Sequence, residues 1–406
     1  MTACVSNHNG SLSFAGDHSY WFSELNGERM GYFKEVVPKM IQYRLVKLGW
    51  VGASLPMNLT FSVTNVCQSR CKTCSIWKLY NEHPEKRKEE LSLGEIESVF
   101  KSMGHIYIFN VSGGEPFLRD DFSEIIKLAC KYLTPGIIHI PTNAIAEKKT
   151  RHQLKDILSF LQINYPDVQL TVKPSLDHIE GKHDDIRGVP GNFTKVISLF
   201  RWLQEMKSDY PMLHAELGTV ISNWNVEDID EISTFVAGLG ADSYRNEIAE
   251  QRSEMFNNDD LITPSPELYE EAIHSFVSNI RSEMKNKTMF QKITNAFRIV
   301  YYNLAIRIMG EKRQVIPCYA GISNAHMTPY GDIWACCTLG YSKSMGNVRN
   351  YDYNFLKLWK SPEAMRVRSE IEQGECHCPL ANQTYSNILM DTPSLLRVIF
   401  EIFRPR

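Results

Sequence analysis

The sequence lacks any stretch of about 18 uncharged apolar residues, which is the length that a membrane-spanning helix requires. Its N-terminus also lacks the basic segment and apolar core of a secretory signal peptide. Positive charge is not in surplus, because 47 acidic residues outnumber 44 Lys and Arg residues, and nucleic-acid binding requires a cationic surface. We therefore expect a cytoplasmic, globular protein that does not bind nucleic acid.

Cysteine is too scarce for a secreted disulfide scaffold, at 10 residues in 406. Cys4 and Cys130 stand apart from the others and are expected to be small buried apolar residues. The remaining cysteines form two groups, which are Cys67, Cys71 and Cys74, and then Cys318, Cys336, Cys337, Cys376 and Cys378. Such clustering favours metal binding.

Between residues 56 and 255, short β-rich runs alternate with amphipathic helical patterns, which is typical of βα units around a parallel sheet. Six strands are predicted, at 57–63, 105–111, 136–142, 168–174, 213–221 and 241–248. Because successive crossovers share one handedness, these units predict an α/β fold in the form of a partial (β/α)6 TIM-like barrel of parallel strands.

The composition divides the chain into five predicted segments. They are an N-terminal extension (1–55), the partial barrel (56–255), a helical connector (256–312), a small cysteine-bearing α+β domain (313–390) and a C-terminal amphipathic helix (391–406). Folds of parallel strands carry their chemistry at the carboxyl ends of the strands. The distinctive loops of this sequence follow the first and second predicted strands.

The loop after the first strand reads TNVCQSRCKTCSIW and contains Cys67, Cys71 and Cys74. Three thiolates on one loop can bind three irons of a cubane and leave the fourth iron open to a ligand. On spacing alone, zinc or unrelated thiols stay open as alternatives, although a structural zinc site requires a fourth protein ligand nearby.

The loop after the second strand reads SGGEP and contains Gly113, Gly114, Glu115 and Pro116. Paired glycines let a ligand approach the backbone, and a carboxylate can accept a hydrogen bond from an ammonium group. Taken alone, such a segment is usually only a turn. Its position, one βα unit after a three-cysteine loop, indicates a binding site.

With both loops in place, the sequence resembles the radical S-adenosylmethionine (SAM) superfamily over about residues 55–380. The resemblance implies a redox [4Fe–4S] cluster on Cys67, Cys71 and Cys74, with SAM bound at 113–116. It also implies that SAM is cleaved reductively to a 5′-deoxyadenosyl radical, which abstracts hydrogen from a substrate carbon. One departure is Thr73, because the family often has an aromatic residue directly before the third cysteine.

The resemblance assigns further SAM contacts to later strand ends. Asn143 follows the third strand, and Ser175 and Arg187 would bind the ribose or the carboxylate of SAM, the arginine through its forked donors. Val220, in the fifth strand, would pack on adenine. A surface loop with ordinary ion pairs and a core valine remain the alternatives.

The second cysteine group begins in a predicted hairpin at 318–337. Its spacing around Gly331 resembles the C-terminal auxiliary-cluster domains called SPASM and twitch. The ligands that this resemblance implies for one further [4Fe–4S] cluster are Cys318, Cys336, Cys376 and Cys378. Cys337 in place of Cys336, and zinc on the same thiols or with His377, remain alternatives.

A net oxidation requires a base, and Glu247 and Glu250 at the end of the sixth strand are candidates, with a salt-bridged rim as the alternative. We favour a small polar metabolite or sugar as substrate, because peptide-modifying relatives carry a longer segment before the barrel. A ribosomal peptide, a lipid reached through the amphipathic segments 40–50 and 395–406, and a non-enzymatic metal scaffold are the alternatives. The resemblance also implies a low-potential electron donor such as flavodoxin or ferredoxin.

Overall fold

The computed structural model describes residues 29–374 and 376–404, with side chains from residue 36 onward except 286 and 290. The described chain divides into two units, with the boundary between Gln42 and Tyr43. Helix α1 (Arg29–Lys47) includes the described part of the first unit. Cys4 and much of the predicted N-terminal extension lie outside the described residues. All site residues belong to the second unit.

Six parallel strands form the barrel wall. They are β1 (Asn58–Ser62), β2 (Ile108–Ser112), β3 (Ile137–Thr142), β4 (Gln169–Pro174), β5 (Leu213–Ile221) and β6 (Ser243–Ile248). Each strand pairs in parallel with the next one along the chain, and β6 is an edge of the sheet. The predicted partial barrel of six parallel strands is confirmed.

Helices connect these strands and cover them with their apolar sides. They are α2 (Lys78–Glu82), α3 (Leu93–Met103), α4 (Phe122–Leu133), α5 (Glu147–Asn164), α6 (Glu180–Arg187), α7 (Asn192–Met206) and α8 (Ile229–Gly238). Helix α3 illustrates why they form: Ser92 and Glu95 make a capping box, and four apolar residues at helical spacing are buried. Cys130 in α4 is fully buried, as expected.

The C-terminal part adds strands to the barrel sheet. Strand β7 (Asn324–Met327) pairs in parallel with β1, and β8 (Asp332–Trp334) and β9 (Ser344–Asn347) follow in antiparallel order. The result is one nine-stranded sheet in the order β6-β5-β4-β3-β2-β1-β7-β8-β9. The hairpin of the predicted cysteine-bearing α+β domain therefore extends the barrel wall at β1.

The remaining helices are α9 (Pro266–Glu283), α10 (Met289–Glu311), α11 (Phe355–Trp359), α12 (Pro362–Glu372), α13 (Ala381–Met390) and α14 (Thr392–Phe403). Helix α14 leaves apolar side chains exposed at helical spacing, at Leu396, Ile399, Phe400 and Phe403. None of the helices in the described part of the chain has the length and apolar character that crossing a membrane requires.

Candidate active site

The cluster loop, residues 63–77, follows β1 and carries three thiols that lie close together. Cys67, Cys71 and Cys74 are each half-buried. Burial is the largest cause, and repulsion from Cys71 the next, that raises the pKa of both Cys67 and Cys74. The pKa of Cys74 is raised to about 12. Iron ligands must be thiolates, and a cationic centre would let these crowded thiols ionise. The donor set therefore fits a cubane bound through three cysteines.

Two polar side chains donate hydrogen bonds to these sulfurs. Arg187 Nη1 lies 3.5 Å from the Sγ of Cys71, and Asn143 Nδ2 lies 3.7 Å from the Sγ of Cys67. Donors to cluster sulfurs tune the potential of an iron-sulfur centre. The two residues thus lie at the cluster loop, and their predicted contacts with SAM stay a prediction.

The two glycines of the SGGEP segment pack against the backbone of the cluster loop. Added Cβ atoms would lie 2.2 Å from Thr64 O at Gly113 and 2.3 Å from Val66 O at Gly114. Two backbone bonds join the loops at this point, from Gly114 N to Thr64 O (2.7 Å) and from Glu115 N to Val66 O (2.8 Å). Glycine is required here because the cluster loop itself occupies the space of a side chain.

Glu115 joins the carboxyl ends of β2 and β3. Its carboxylate accepts hydrogen bonds from Thr142 Oγ1 (2.9 Å), Asn143 N (2.7 Å) and Phe117 N (3.3 Å). Burial raises its pKa to about 7 against the opposing effect of these bonds. Pro116 is buried at the start of a 3-10 turn. Glu115 therefore positions two strand ends, and its contact with the SAM ammonium group stays a prediction.

A buried ion pair holds Arg187 in place. Its Nε lies 2.7 Å from Asp177 Oδ2, and Asp177 Oδ1 accepts a hydrogen bond from Val220 N at 2.9 Å. Burial would lower the pKa of Arg187, but Asp177 and Cys71 raise it above its usual value. Ser175 is half-buried at the end of β4, and its N donates to the carbonyl oxygen of residue 142. Asp177, after β4, and Val220, in β5, thus hold one arginine.

Replacing Asp177 by alanine is expected to lower the free energy of unfolding by about 3 to 5 kcal/mol, because the buried Arg187 would lose its carboxylate partner. The exposed pair of Lys72 and Asp185 gives a matched control. Asp185→Ala should lower the same quantity by less than about 1 kcal/mol. Urea denaturation of both variants, at equal iron content, checks this difference. Equal losses would contradict the importance of the buried pair.

Two residues that sequence reasoning missed fix the cluster loop from outside. Glu90 Oε1 accepts hydrogen bonds from Thr64 Oγ1 (2.7 Å) and from the hydroxyl of Tyr80 (2.6 Å). Asn257, which is buried after β6, donates to Thr73 O at 2.8 Å. Neither residue belongs to a motif, and the long sequence separation of Asn257 from the loop leaves no local signal.

Ionisable residues of β3 to β6 interact with one another and form an inner cluster, defined here as His139, Lys173, Glu216, Arg245 and Glu247. Glu247 lies 3.2 Å from Lys173, which lowers the pKa of that carboxyl to about 2. Arg245 Nε lies 2.9 Å from Glu216 Oε2. An ion-paired carboxylate with so low a pKa is a weak base, so this geometry disfavours Glu247 in that role.

His139 was not singled out from the sequence. Its Nε2 is buried and has no hydrogen-bond partner among the described residues. Burial, and then Lys173 and Arg245, lower its pKa to about 3, so the imidazole is neutral. A buried polar atom without a partner indicates a place for a water or a ligand group. Glu250, by contrast, forms an ion pair with Arg252. After burial, Glu250 makes the next largest contribution to raising the pKa of Cys378 in the second cysteine group.

The second cysteine group brings four thiols together. Burial, and then repulsion from Cys378, raise the pKa of Cys336, and burial together with Cys376 raises that of Cys318 to about 11. Burial raises the pKa of Cys378 as well, with smaller contributions from Glu250 and Cys318. Cys337 differs, because its neighbours are carboxylates and an arginine. The geometry therefore places Cys336, rather than Cys337, with the other three thiols.

Comparison with family models agrees with this arrangement. Residues 61–236 match the model described as the radical SAM superfamily. Residues 318–379 match the SPASM model, described as an iron-sulfur cluster-binding domain. The two matches cover the cluster loop and the second cysteine group.

Three curated relatives align with most of this chain. The subtilosin biosynthesis protein AlbA of Bacillus subtilis is 21% identical, over 89% of this chain and 74% of its own length. The mycofactocin maturase MftC of Mycolicibacterium smegmatis is 24% identical, over 82% and 78%. An AdoMet-dependent heme synthase of Oleidesulfovibrio alaskensis is 25% identical, over 80% of each chain.

A solved structure has the same fold. SuiB of Streptococcus suis, bound to the precursor peptide SuiA, superposes with a TM-score of 0.55 at 16% identity. The match covers 90% of this chain and 75% of SuiB. At this identity the likeness concerns the fold.

Proposed function

Because the chain belongs to the radical SAM superfamily and carries a domain of the SPASM type, we propose that the substrate of this enzyme is a ribosomally made peptide. Two of the three relatives described above are named for the biosynthesis of a bacteriocin and for maturation. The similarly folded SuiB was crystallised with a precursor peptide. These comparisons favour the peptide alternative over the small polar metabolite that the sequence alone suggested.

The cofactors of the enzyme are a [4Fe–4S] cluster, SAM and an auxiliary iron-sulfur cluster. When bound, the first cluster supplies the electron that splits SAM into methionine and a 5′-deoxyadenosyl radical. We assign its ligands to Cys67, Cys71 and Cys74, since these half-buried thiols lie together at the carboxyl end of β1. This one arrangement of thiols carries the proposal that the enzyme cleaves SAM.

The surrounding residues orient and shield this site. Arg187 and Asn143 donate to the sulfurs, and Glu115 keeps the SAM-facing ends of β2 and β3 together. We assign the auxiliary ligands to the four thiols Cys318, Cys336, Cys376 and Cys378.

We place the peptide side chain against the inner cluster. Its ion pairs offer both charge signs, and the unpartnered Nε2 of His139 offers a neutral polar contact. The electron donor in this proposal remains a small low-potential protein such as flavodoxin or ferredoxin. A small molecule is the second candidate substrate, because the heme synthase aligns over 80% of both chains.

Anaerobic reconstitution with iron, sulfide, dithionite and SAM is expected to yield 5′-deoxyadenosine. Co-expression with each short peptide encoded beside the gene should give a peptide that has lost hydrogen atoms or gained a cross-link, detected by mass spectrometry. If SAM is cleaved but every such peptide is unchanged while a metabolite extract is consumed, the peptide assignment is overturned and the radical SAM assignment stands.

A further inference from the structure

Glu254, His326 and Cys337 form a compact group that neither cysteine centre includes. Their ligand atoms lie within 4.8 Å of one another, and all three residues are buried. They come from separate places, namely the 3-10 turn Ser253–Met255 after β6, strand β7, and the segment that follows β8. We propose that these side chains bind one divalent transition cation of the zinc class, at a site separate from both cysteine centres.

The distance between His326 and Glu254 agrees with tetrahedral coordination of one ion. His326 Nε2 lies 3.4 Å from Glu254 Oε1. Zinc bonds of about 2.0 to 2.1 Å to nitrogen and oxygen place two tetrahedral ligands about 3.3 Å apart. Ser62 Oγ lies 2.9 Å from His326 Nε2 and 3.3 Å from Glu254 Oε1, and it supplies a fourth polar atom.

The imidazole is held in the orientation that binding requires. The His326 ring stacks on Trp334, with ring centroids 5.2 Å apart and an interplanar angle of 29°. Trp334 belongs to β8, which pairs with β7 directly opposite His326. The histidine is therefore fixed by the sheet, and its Nε2 lies beside the carboxylate and the serine hydroxyl.

The carboxylate of Glu254 belongs to the group, whereas that of Glu250 does not. Glu250 is paired with Arg252, while Glu254 Oε1 lies 3.4 Å from His326 Nε2 and accepts a hydrogen bond from Ser62 Oγ. A carboxylate oxygen and an imidazole nitrogen are ordinary zinc ligands, so Glu254 is the carboxylate that we assign to the cation.

The ligand types indicate zinc rather than another iron-sulfur centre. One thiolate, one imidazole and one carboxylate are ordinary zinc ligands, whereas iron-sulfur clusters are held mainly by thiolates. Cys337 also has carboxylates as neighbours, while the adjacent Cys336 lies with the other thiols. The two neighbouring cysteines thus serve different sites.

Zinc binding to the cluster-loaded holoprotein tests the proposal. After incubation with zinc chloride and extensive dialysis, elemental analysis should find about one zinc per chain beyond the cluster iron. Zinc-edge X-ray absorption should show one sulfur with two or three nitrogen or oxygen neighbours. This measurement on the unmodified protein does not depend on the folding of any variant.

Two variants locate the site. Cys337→Ser and His326→Gln should each lower zinc affinity by more than about 100-fold, because even outer-shell partners contribute about 10- to 100-fold. Cys130→Ser, in which a buried helical thiol is changed, should retain zinc. Iron content and 5′-deoxyadenosine formation are measured on the same samples.

Three outcomes would overturn the proposal. They are absence of retained zinc, retention that is equal in all variants, and a first shell of four sulfurs, which would place the zinc in the second cysteine group. If the protein retains no zinc but still cleaves SAM, the cation site alone is rejected and the proposed function stands.

Discussion

Replacing Cys67, Cys71 and Cys74 together by alanine is expected to abolish 5′-deoxyadenosine formation. The three thiols are the protein ligands that we assign to the SAM-binding cluster. The cluster loop contains no other cysteine that could replace them. Iron should fall from about eight to about four atoms per chain, since the second cysteine group is untouched. Chromatography of the nucleoside and a colorimetric iron assay measure both effects.

Cys130→Ala is the control, because this thiol is fully buried within α4. It should keep both the full iron content and the formation of 5′-deoxyadenosine. A triple variant that still made 5′-deoxyadenosine at the unmodified rate would remove the basis of the proposed function. A triple variant that lost all of its iron would instead contradict the assignment of about four iron atoms to the second cysteine group.

Gly114→Ala is expected to lower the rate of SAM cleavage by about 100-fold. The new methyl group would lie 2.3 Å from Val66 O. A backbone carbonyl cannot relieve this clash by rotating about a side-chain bond, as the end of a flexible side chain can. The cluster loop must then move, and a displacement of about 1 Å in a reacting group can reduce a rate by about 100-fold. The φ angle of Gly114 is not positive, so the effect comes from the contact rather than from backbone strain.

Gly94→Ala provides the matched comparison, because nothing lies within 4 Å of its added Cβ in helix α3. This variant should cleave SAM normally and unfold with equal or slightly higher free energy, since alanine favours helices. Single-turnover assays with both purified variants at equal iron content separate chemistry from cluster loading. Equal rates for the two variants would show that the cluster loop tolerates displacement.

The sequence predicted the barrel and the cluster loop because both signals are local. Alternating strand and helix patterns located six strands, and three closely spaced cysteines with a following SGGEP segment located the first centre. Asp177, which follows β4 only ten residues before Arg187, proved to be its buried partner. Each of these features depends on residues within a short stretch of chain.

The remainder depends on contacts between distant residues. Asn257 contacts Thr73, and His326 contacts Ser62, although each pair lies far apart in the sequence. The two glycines were expected to admit a ligand, and their closest neighbours proved to be carbonyls of the cluster loop. Neither composition nor periodicity reports which backbone will occupy the space beside a glycine.

The pairing of β7 with β1 has a consequence for how the protein opens. Strand β1 leads into the cluster loop, and β7 leads through the hairpin to Cys336, so backbone hydrogen bonds connect the supports of both centres. The amides of the two strands should therefore be protected from hydrogen exchange to a similar degree, as in one cooperative unit. A chelator that strips either centre should increase exchange at both, so oxidative damage to one cluster would also loosen the support of the other.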